Sequence, residues 1–217
     1  GLKPSSTSAK VYHDPTNLQM LCFLVTLGYR KTIKFTKDFL FYEAWNVAIV
    51  PTPITKVDTD LAEWFPERKW PFFQADPFGE PGKLLVEEYN YQTDIGVIKT
   101  VFLNSNNQET SRKTFIDNER HHSYPFILQT DEGVFVIPES LQRKKTLVYQ
   151  RDTGAVEGEL LQGLPIIDPS IHFDGERYWL FCTCSTSVSD GNASLFLFHS
   201  KNICGPYHPH LLNPVKS

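Results

Sequence analysis

From residue 71 onward the chain alternates short apolar runs with tight polar breaks. The runs "FFQADPF" (72–78), "KLLVEEY" (83–89), "GVIKTVFL" (96–103) and "SRKTFID" (111–117) read as four strands. They are rich in β-branched and aromatic residues and are bounded by Gly, Asn and Asp clusters. A second set of four follows in "YPFILQT" (124–130), "GVFVIPES" (133–140), "KTLVYQR" (145–151) and "EGELLQG" (157–163). The third set is "DPSIHF" (168–173), "RYWLFCTC" (177–184), "ASLFLFHS" (193–200) and a last segment around "GPYHPH" (205–210).

The three sets repeat one design. "SYPFILQTDEGVFVIPES" (123–140) aligns without a gap on "IDPSIHFDGERYWLFCTC" (167–184), with Pro125 on Pro169 and "VFVI" on "YWLF". "ADPFGEPGKLLVEEY" (75–89) follows the same scheme with a shorter turn. The equivalent prolines 77, 125 and 169 lie 48 and then 44 residues apart, the period of propeller blades. A β-sandwich has no need of such phase-locked similarity. The chain is therefore expected to be all-β, a β-propeller whose three clear four-stranded blades cover about 71–118, 119–164 and 165–217. The innermost strand of each blade lines the axis. Asp76, Tyr124 and Asp168, each just before its proline, should then converge on one mouth of the channel. The prolines are expected at the first residues of their strands, where the missing N–H costs no ladder bond.

Residues 1–70 follow another pattern. "GLKPSSTSAK" reads as a loose tail, and "DPTNLQMLCFLVTLGYRK" (14–31) as a short helix. Asp14 is its expected cap, Pro15 suits its first turn, and Leu18, Leu21, Cys22 and Val25 share a face. "FLFYEAWNVAIVP" (39–51) looks like a strand, possible as a partial blade, and a polar connection leads to residue 71. The apolar run at 18–28 falls short of the roughly 18 residues a membrane span needs and reads as a packed helix.

Composition narrows the class of partner. The 21 Lys and Arg against 25 Asp and Glu leave no basic field, so nucleic acid is not expected. Four cysteines are too few and too irregular for a disulfide scaffold. No GxGxxG and no P-loop is present, so no cofactor is expected.

The series "WFPERKWPFFQADPF", "HHSYPF", "IPES", "IDPS", "YWLF" and "GPYHPHLLNPVKS" resembles the β-propeller domain of the glucosamine inositolphosphorylceramide transferase family, over roughly residues 62–217. Related domains in that family occur in bacterial proteins, sometimes joined to formyltransferase-like modules. The resemblance implies a five-bladed fold akin to the arabinanase and invertase propellers, and a carbohydrate or glycoconjugate ligand. It also implies that further blades follow, so the propeller is expected to be incomplete here. The N-terminal helix or a second copy of the chain in a homo-oligomer would then cover the open sheet edges. In the wider clan, carboxylates at the starts of inner strands perform glycosidic chemistry. This chain departs from that arrangement by placing Tyr124 in the second blade.

The candidate catalytic residues are Asp76, Asp168 and Glu139. Sugar chemistry needs one carboxylic acid to protonate a leaving oxygen and one carboxylate to attack or to activate water. Against this, an Asp before a proline often caps its own turn. Glu139, at the edge of an apolar strand, suits an acid with a raised pKa, or alternatively a salt bridge. Glu88, His122 and Tyr124 are the candidate substrate contacts, with His122 favoured over His121 and with Glu87 taken as a solvated or ion-paired face residue. Trp64, Phe65, Trp70 and Phe72 either stack on a sugar or pack their loop. His208 and His210 offer only a weak metal reading, and Cys182 and Cys184 read as buried small hydrophobes, so no metal is assigned. Asn192 is a glycosylation acceptor only in a secreted chain. The function expected is a carbohydrate-binding or carbohydrate-processing propeller. The competing class is a non-catalytic docking module for a separate, fused or partner catalytic domain.

Overall fold

A computed structural model describes residues 14–116, 119–140, 145–184 and 194–216, with Asp38 and Phe39 described by backbone only. The tail 1–10 and Asn192 lie outside the described residues. Two compact units are present, residues 1–43 and 44–217. The second therefore takes in residues 44–70, which the sequence pattern groups with the N-terminal part.

In the first unit a single helix, α1, runs Asn17–Leu40. It starts later than Asp14 because Thr16 is the better cap. The "TNLQ" run forms a capping box in which the Gln19 N–H donates to Thr16 Oγ1 (3.3 Å) and the Thr16 N–H to Gln19 Oε1 (2.8 Å). Pro15 falls before the cap rather than in the first turn. Leu18, Leu21, Cys22 and Val25, expected to pack, are exposed.

The second unit opens with a two-stranded ribbon, β1 (Ala48–Ile49) against β2 (Glu63–Trp64). The longer strand expected over 39–51 does not form. Asn46 intercepts it: its side chain accepts from the Val47 N–H (2.9 Å) and donates to the Phe65 carbonyl (2.8 Å), taking bonds that a ladder would need.

Three four-stranded antiparallel sheets follow in a propeller-like arrangement. The first is β3 (Phe72–Glu80), β4 (Lys83–Asn90), β5 (Ile95–Leu103) and β6 (Glu109–Ile116). The second is β7 (Ser123–Thr130), β8 (Gly133–Glu139), β9 (Lys145–Gln150) and β10 (Val156–Gln162). The third is β11 (Ile166–Phe173), β12 (Tyr178–Cys184), β13 (Leu195–Ser200) and the short β14 (His208–Pro209). Each sheet follows chain order, as the periodicity requires. The third sheet is eked out by Asn213, whose side chain pairs with both the N–H and the C=O of Leu197 (2.9 and 2.8 Å) in place of a strand.

Strand alternation explains how the sheets pack face to face. On β4, Leu85 joins Ile98 and Ile116 against Val136 and Tyr149 of the second sheet, whereas its neighbour Val86 turns to Val47, Phe65 and Val101. On β8, Val136 faces the first sheet while Phe135 and Ile137 face the third, meeting Ile171, Leu180 and Phe198. Each central residue pair thus serves two interfaces. We expect Ile98→Ala, which empties a fully buried position between the first and second sheets, to lower unfolding free energy by about 2–5 kcal/mol in chemical denaturation.

Candidate functional site

The three prolines sit within their strands, not at the first residue as expected. Each occupies a bulge. Asp76 and Pro77 lie between the pairs Ala75↔Glu87 and Phe78↔Leu85. Tyr124 and Pro125 lie between Ser123↔Glu139 and Phe126↔Ile137, and Asp168 and Pro169 between Ile167↔Thr183 and Ser170↔Phe181. Two residues therefore face one in every inner strand, and the bulge spares each proline a ladder bond. The residue before the proline takes a left-handed φ in all three: 49° at Asp76, 45° at Tyr124 and 50° at Asp168. Asp tolerates this region; for a bulky Tyr it is uncommon.

The bulge releases backbone N–H groups from the ladder, and carboxylates of the preceding sheet take them. Asp76 Oδ2 accepts from the Tyr124 N–H (3.1 Å), and Glu139 Oε2 accepts from the Asp168 N–H (3.2 Å). The Tyr124 hydroxyl is 3.0 Å from Ser170 Oγ, and its ring meets Phe78 edge-on at 4.9 Å. Asp76 is thereby paired with Tyr124 and Glu139 with Asp168, and the Asp76 charge is felt by both Glu139 and Asp168.

Glu87 completes the group. Buried directly opposite Ala75, it hydrogen-bonds Asp76. Burial first, then the charges of Asp76 and Glu139, push its pKa up to about 8. Glu139 is likewise pushed up to about 7, chiefly by burial, with its hydrogen bond from the Asp168 N–H pulling the other way and the Asp168 charge adding to the rise. Asp168, open to solvent on one side, is also raised, by burial of the rest and by Asp76. Burial thus favours the neutral form of both Glu87 and Glu139.

Glu87 is not the solvated face residue expected from the sequence. The shorter first hairpin shifts the register: the buried carboxyl stands ten residues after Pro77 but fourteen after Pro125. Thr183 fills that place in the third sheet. Allowing for the turn length would have found it. Glu88 faces the other way, bound to Arg68 (3.0 Å), Arg112 (3.0 Å) and Lys99 (3.6 Å). Arg112 goes on to Gln74 Oε1 (2.8 Å), and Gln74 Nε2 donates to Asn46 Oδ1 (2.7 Å). Glu88 thus braces the 44–47 segment through Arg112 and Gln74.

His122 is buried at 1% exposure, whereas His121 reaches Glu87, with Nε2 3.8 Å from Oε1. His121 Nδ1 accepts from the Gly96 N–H (2.9 Å), and burial lowers its pKa, so the ring is neutral with its proton on Nε2. Gly96 is required here, since a Cβ would strike the Glu87 carboxyl and stand 2.8 Å from the His122 carbonyl oxygen.

A cleft of about 420 Å³ opens beside Asp76 and Glu87, walled by Trp45, Asn46 and Phe73. Trp45 is exposed and was not among the sequence candidates. Of the aromatics that were, Phe65 is buried in the core and Trp70 stacks on Tyr91 at 5.5 Å. Trp64 lines a separate hollow of about 630 Å³ with Phe65 and the 106–109 turn. Cys182 is buried and Cys184 partly so, and both thiols are free. Among the described residues no group of three His, Cys, Asp or Glu side chains is placed to hold a metal.

The family model described as Glucosamine inositolphosphorylceramide transferase 1, N-terminal, matches residues 85–217, which include Glu87, Tyr124, Glu139 and Asp168. The chain belongs to this family. A rice (Oryza sativa subsp. japonica) glucosamine inositolphosphorylceramide transferase 1 is 29% identical over 184 residues, which is 79% of this chain and 23% of the relative. The Arabidopsis thaliana protein of the same name is 26% identical over 155 residues, 66% of this chain and 20% of its own. The chain thus spans less than a quarter of the length of the curated relatives it matches.

The raised carboxyls set a pH dependence. A folded pKa above the ordinary 4.5 means that the folded state holds protons the unfolded chain has released, so stability is fullest at low pH and declines as pH rises through the folded values. Thermal melts should show a falling midpoint between about pH 5 and about pH 8. Glu87→Gln, which keeps a donor to Asp76 and cannot ionise, should flatten that decline.

Proposed function

We propose that this domain binds the sugar portion of a glycoconjugate in the Trp45–Phe73 cleft, as part of a protein that carries out glycosyl transfer. The observation that supports this reading is the pairing of an exposed indole and a phenyl ring with a carboxylate and a neutral carboxylic acid in one cleft. Aromatic faces suit the C–H face of a sugar ring, while Asp76, held in place by the Glu87 carboxyl, accepts from its hydroxyls. The Asn46 amide offers its second N–H at the rim, its oxygen being taken by the Val47 N–H and Gln74 Nε2. The clustered carboxyls make the cleft a poor host for a phosphate pressed against Asp76, so the portion held there is uncharged or cationic.

The relatives' names describe transferases acting on inositolphosphorylceramide, and most of their length lies outside the match. In this proposal the transfer chemistry belongs to a fused or partner domain, and the present domain holds acceptor or donor sugar for it. A second reading rests on Glu139. Its pKa of about 7 beside Asp168 suits a general acid at neutral pH, so direct glycosyl cleavage or transfer by Glu139 with Asp76 or Asp168 is the alternative.

Glycan-array screening followed by calorimetry of the intact chain tests the binding reading. Trp45→Ala is expected to weaken binding of the best glycan at least tenfold while leaving the melting curve close to that of the parent, and Asp76→Asn to weaken binding at least tenfold with a lower melting midpoint, since Asp76 also holds the Tyr124 amide; Asn tolerates the left-handed backbone. Binding that survives both changes removes the cleft as the site. Release of sugar from the bound glycan, lost in Glu139→Gln, would favour the second reading.

A further inference from the structure

The first half of α1 has the wrong surface for a helix in water. From Asn17 to Tyr29 it carries no charge and eight large apolar side chains. Leu18, Leu21, Phe23 and Val25 are exposed to 70, 57, 58 and 64%, and Met20, Leu24, Leu27 and Tyr29 are exposed as well. At roughly 100° per residue these positions spread around most of the circumference, leaving only the sector of Gln19, Cys22 and Thr26. A protein groove covers one stripe of a helix, whereas a side chain distribution this wide calls for an apolar medium on several sides. Arg30, Lys31, Lys34 and Lys37 follow at once, and Arg30, Lys34 and Lys37 fall within roughly 60° of one another.

We infer that α1 inserts its Asn17–Tyr29 half into the surface of an anionic lipid bilayer, with the basic half lying among the headgroups. Thirteen helical residues reach about 20 Å, against a hydrocarbon core of about 30 Å, so the segment enters without crossing. No helix among the described residues is long and apolar enough to span a membrane. The charge order selects the lipid: four cations beside the apolar half are attracted to phosphatidylserine-type surfaces, and an uncharged bilayer offers them nothing. The inference stands apart from the proposed sugar site, since it uses no residue of the second unit.

Flotation of the full chain with vesicles tests it. Vesicles of phosphatidylcholine with phosphatidylserine should carry the protein upward, and phosphatidylcholine alone should carry much less. Phe23→Asp with Leu24→Asp should abolish flotation, and Arg30→Glu with Lys34→Glu should weaken it about tenfold or more on anionic vesicles. Melting of the sheet unit and glycan binding should be unchanged in both variants, which separates this failure from failure of the sugar site. Equal flotation on both vesicle types, flotation indifferent to Phe23→Asp and Leu24→Asp, or burial of the helix in a stable dimer that vesicles do not dissociate would overturn the inference.

Discussion

The pre-proline bulge is the constraint from which the site and much of the inter-sheet contact follow. A proline inside a strand removes a ladder donor, and the residue before it is steered away from the right-handed helical region. In this chain that residue goes instead to a left-handed conformation, at a cost of order 1 kcal/mol or more for a non-glycine residue. Two of the three strained residues are held from outside their own strand. The Tyr124 amide is held by Asp76 of the first sheet and the Asp168 amide by Glu139 of the second. Strain, proline and carboxylate are thus one device, repeated around the molecule, and it ties each inner strand to its neighbour.

That device also dictates the electrostatics. Carboxylates placed to cap freed amides at successive inner strands must lie near one another, and partial burial denies them water. The crowding favours protonation: Glu87 and Glu139 rise to about 8 and about 7, and Asp168 is raised as well. The outcome is a surface offering both hydrogen-bond donors and acceptors with modest net charge, flanked on one side by Trp45 and Phe73. Tyr124, which looks like a lost carboxylate in the sequence, keeps the structural half of the role. Its amide is capped, its hydroxyl reaches Ser170 in the third sheet and its ring rests on Phe78 in the first.

The repeat was legible because each sheet is a local, in-order product of alternating residues and turn chemistry, and the proline spacing survives as a ruler. What the sequence hid was phase and direction. Glu87 and Glu88 are adjacent, and only the two residues lost from each arm of the first hairpin decide which one turns inward. His121 and His122 present the same problem across a loop, settled by the Gly96 amide bonding to His121 Nδ1. The segment holding Trp45 reads as a strand by composition. It is held against the first sheet by the Gln74 N–H donating to the Trp45 carbonyl (3.4 Å), by the Asn46 side chain and by the Gln74–Arg112–Glu88 chain behind it, and none of these long-range bonds leaves a periodic trace. The helix cap moved from Asp14 to Thr16 for a local reason that was readable, the "TNLQ" box.

The most direct test of the neutral carboxyls is infrared spectroscopy of the unliganded chain near neutral pH, read as difference spectra against Glu87→Gln and Glu139→Gln. The account expects a carbonyl band of a protonated carboxylic acid that loses intensity in each variant, with the Glu87 component persisting to the higher pH. Spectra showing only ionised carboxylates at neutral pH, unchanged by either substitution, would contradict it.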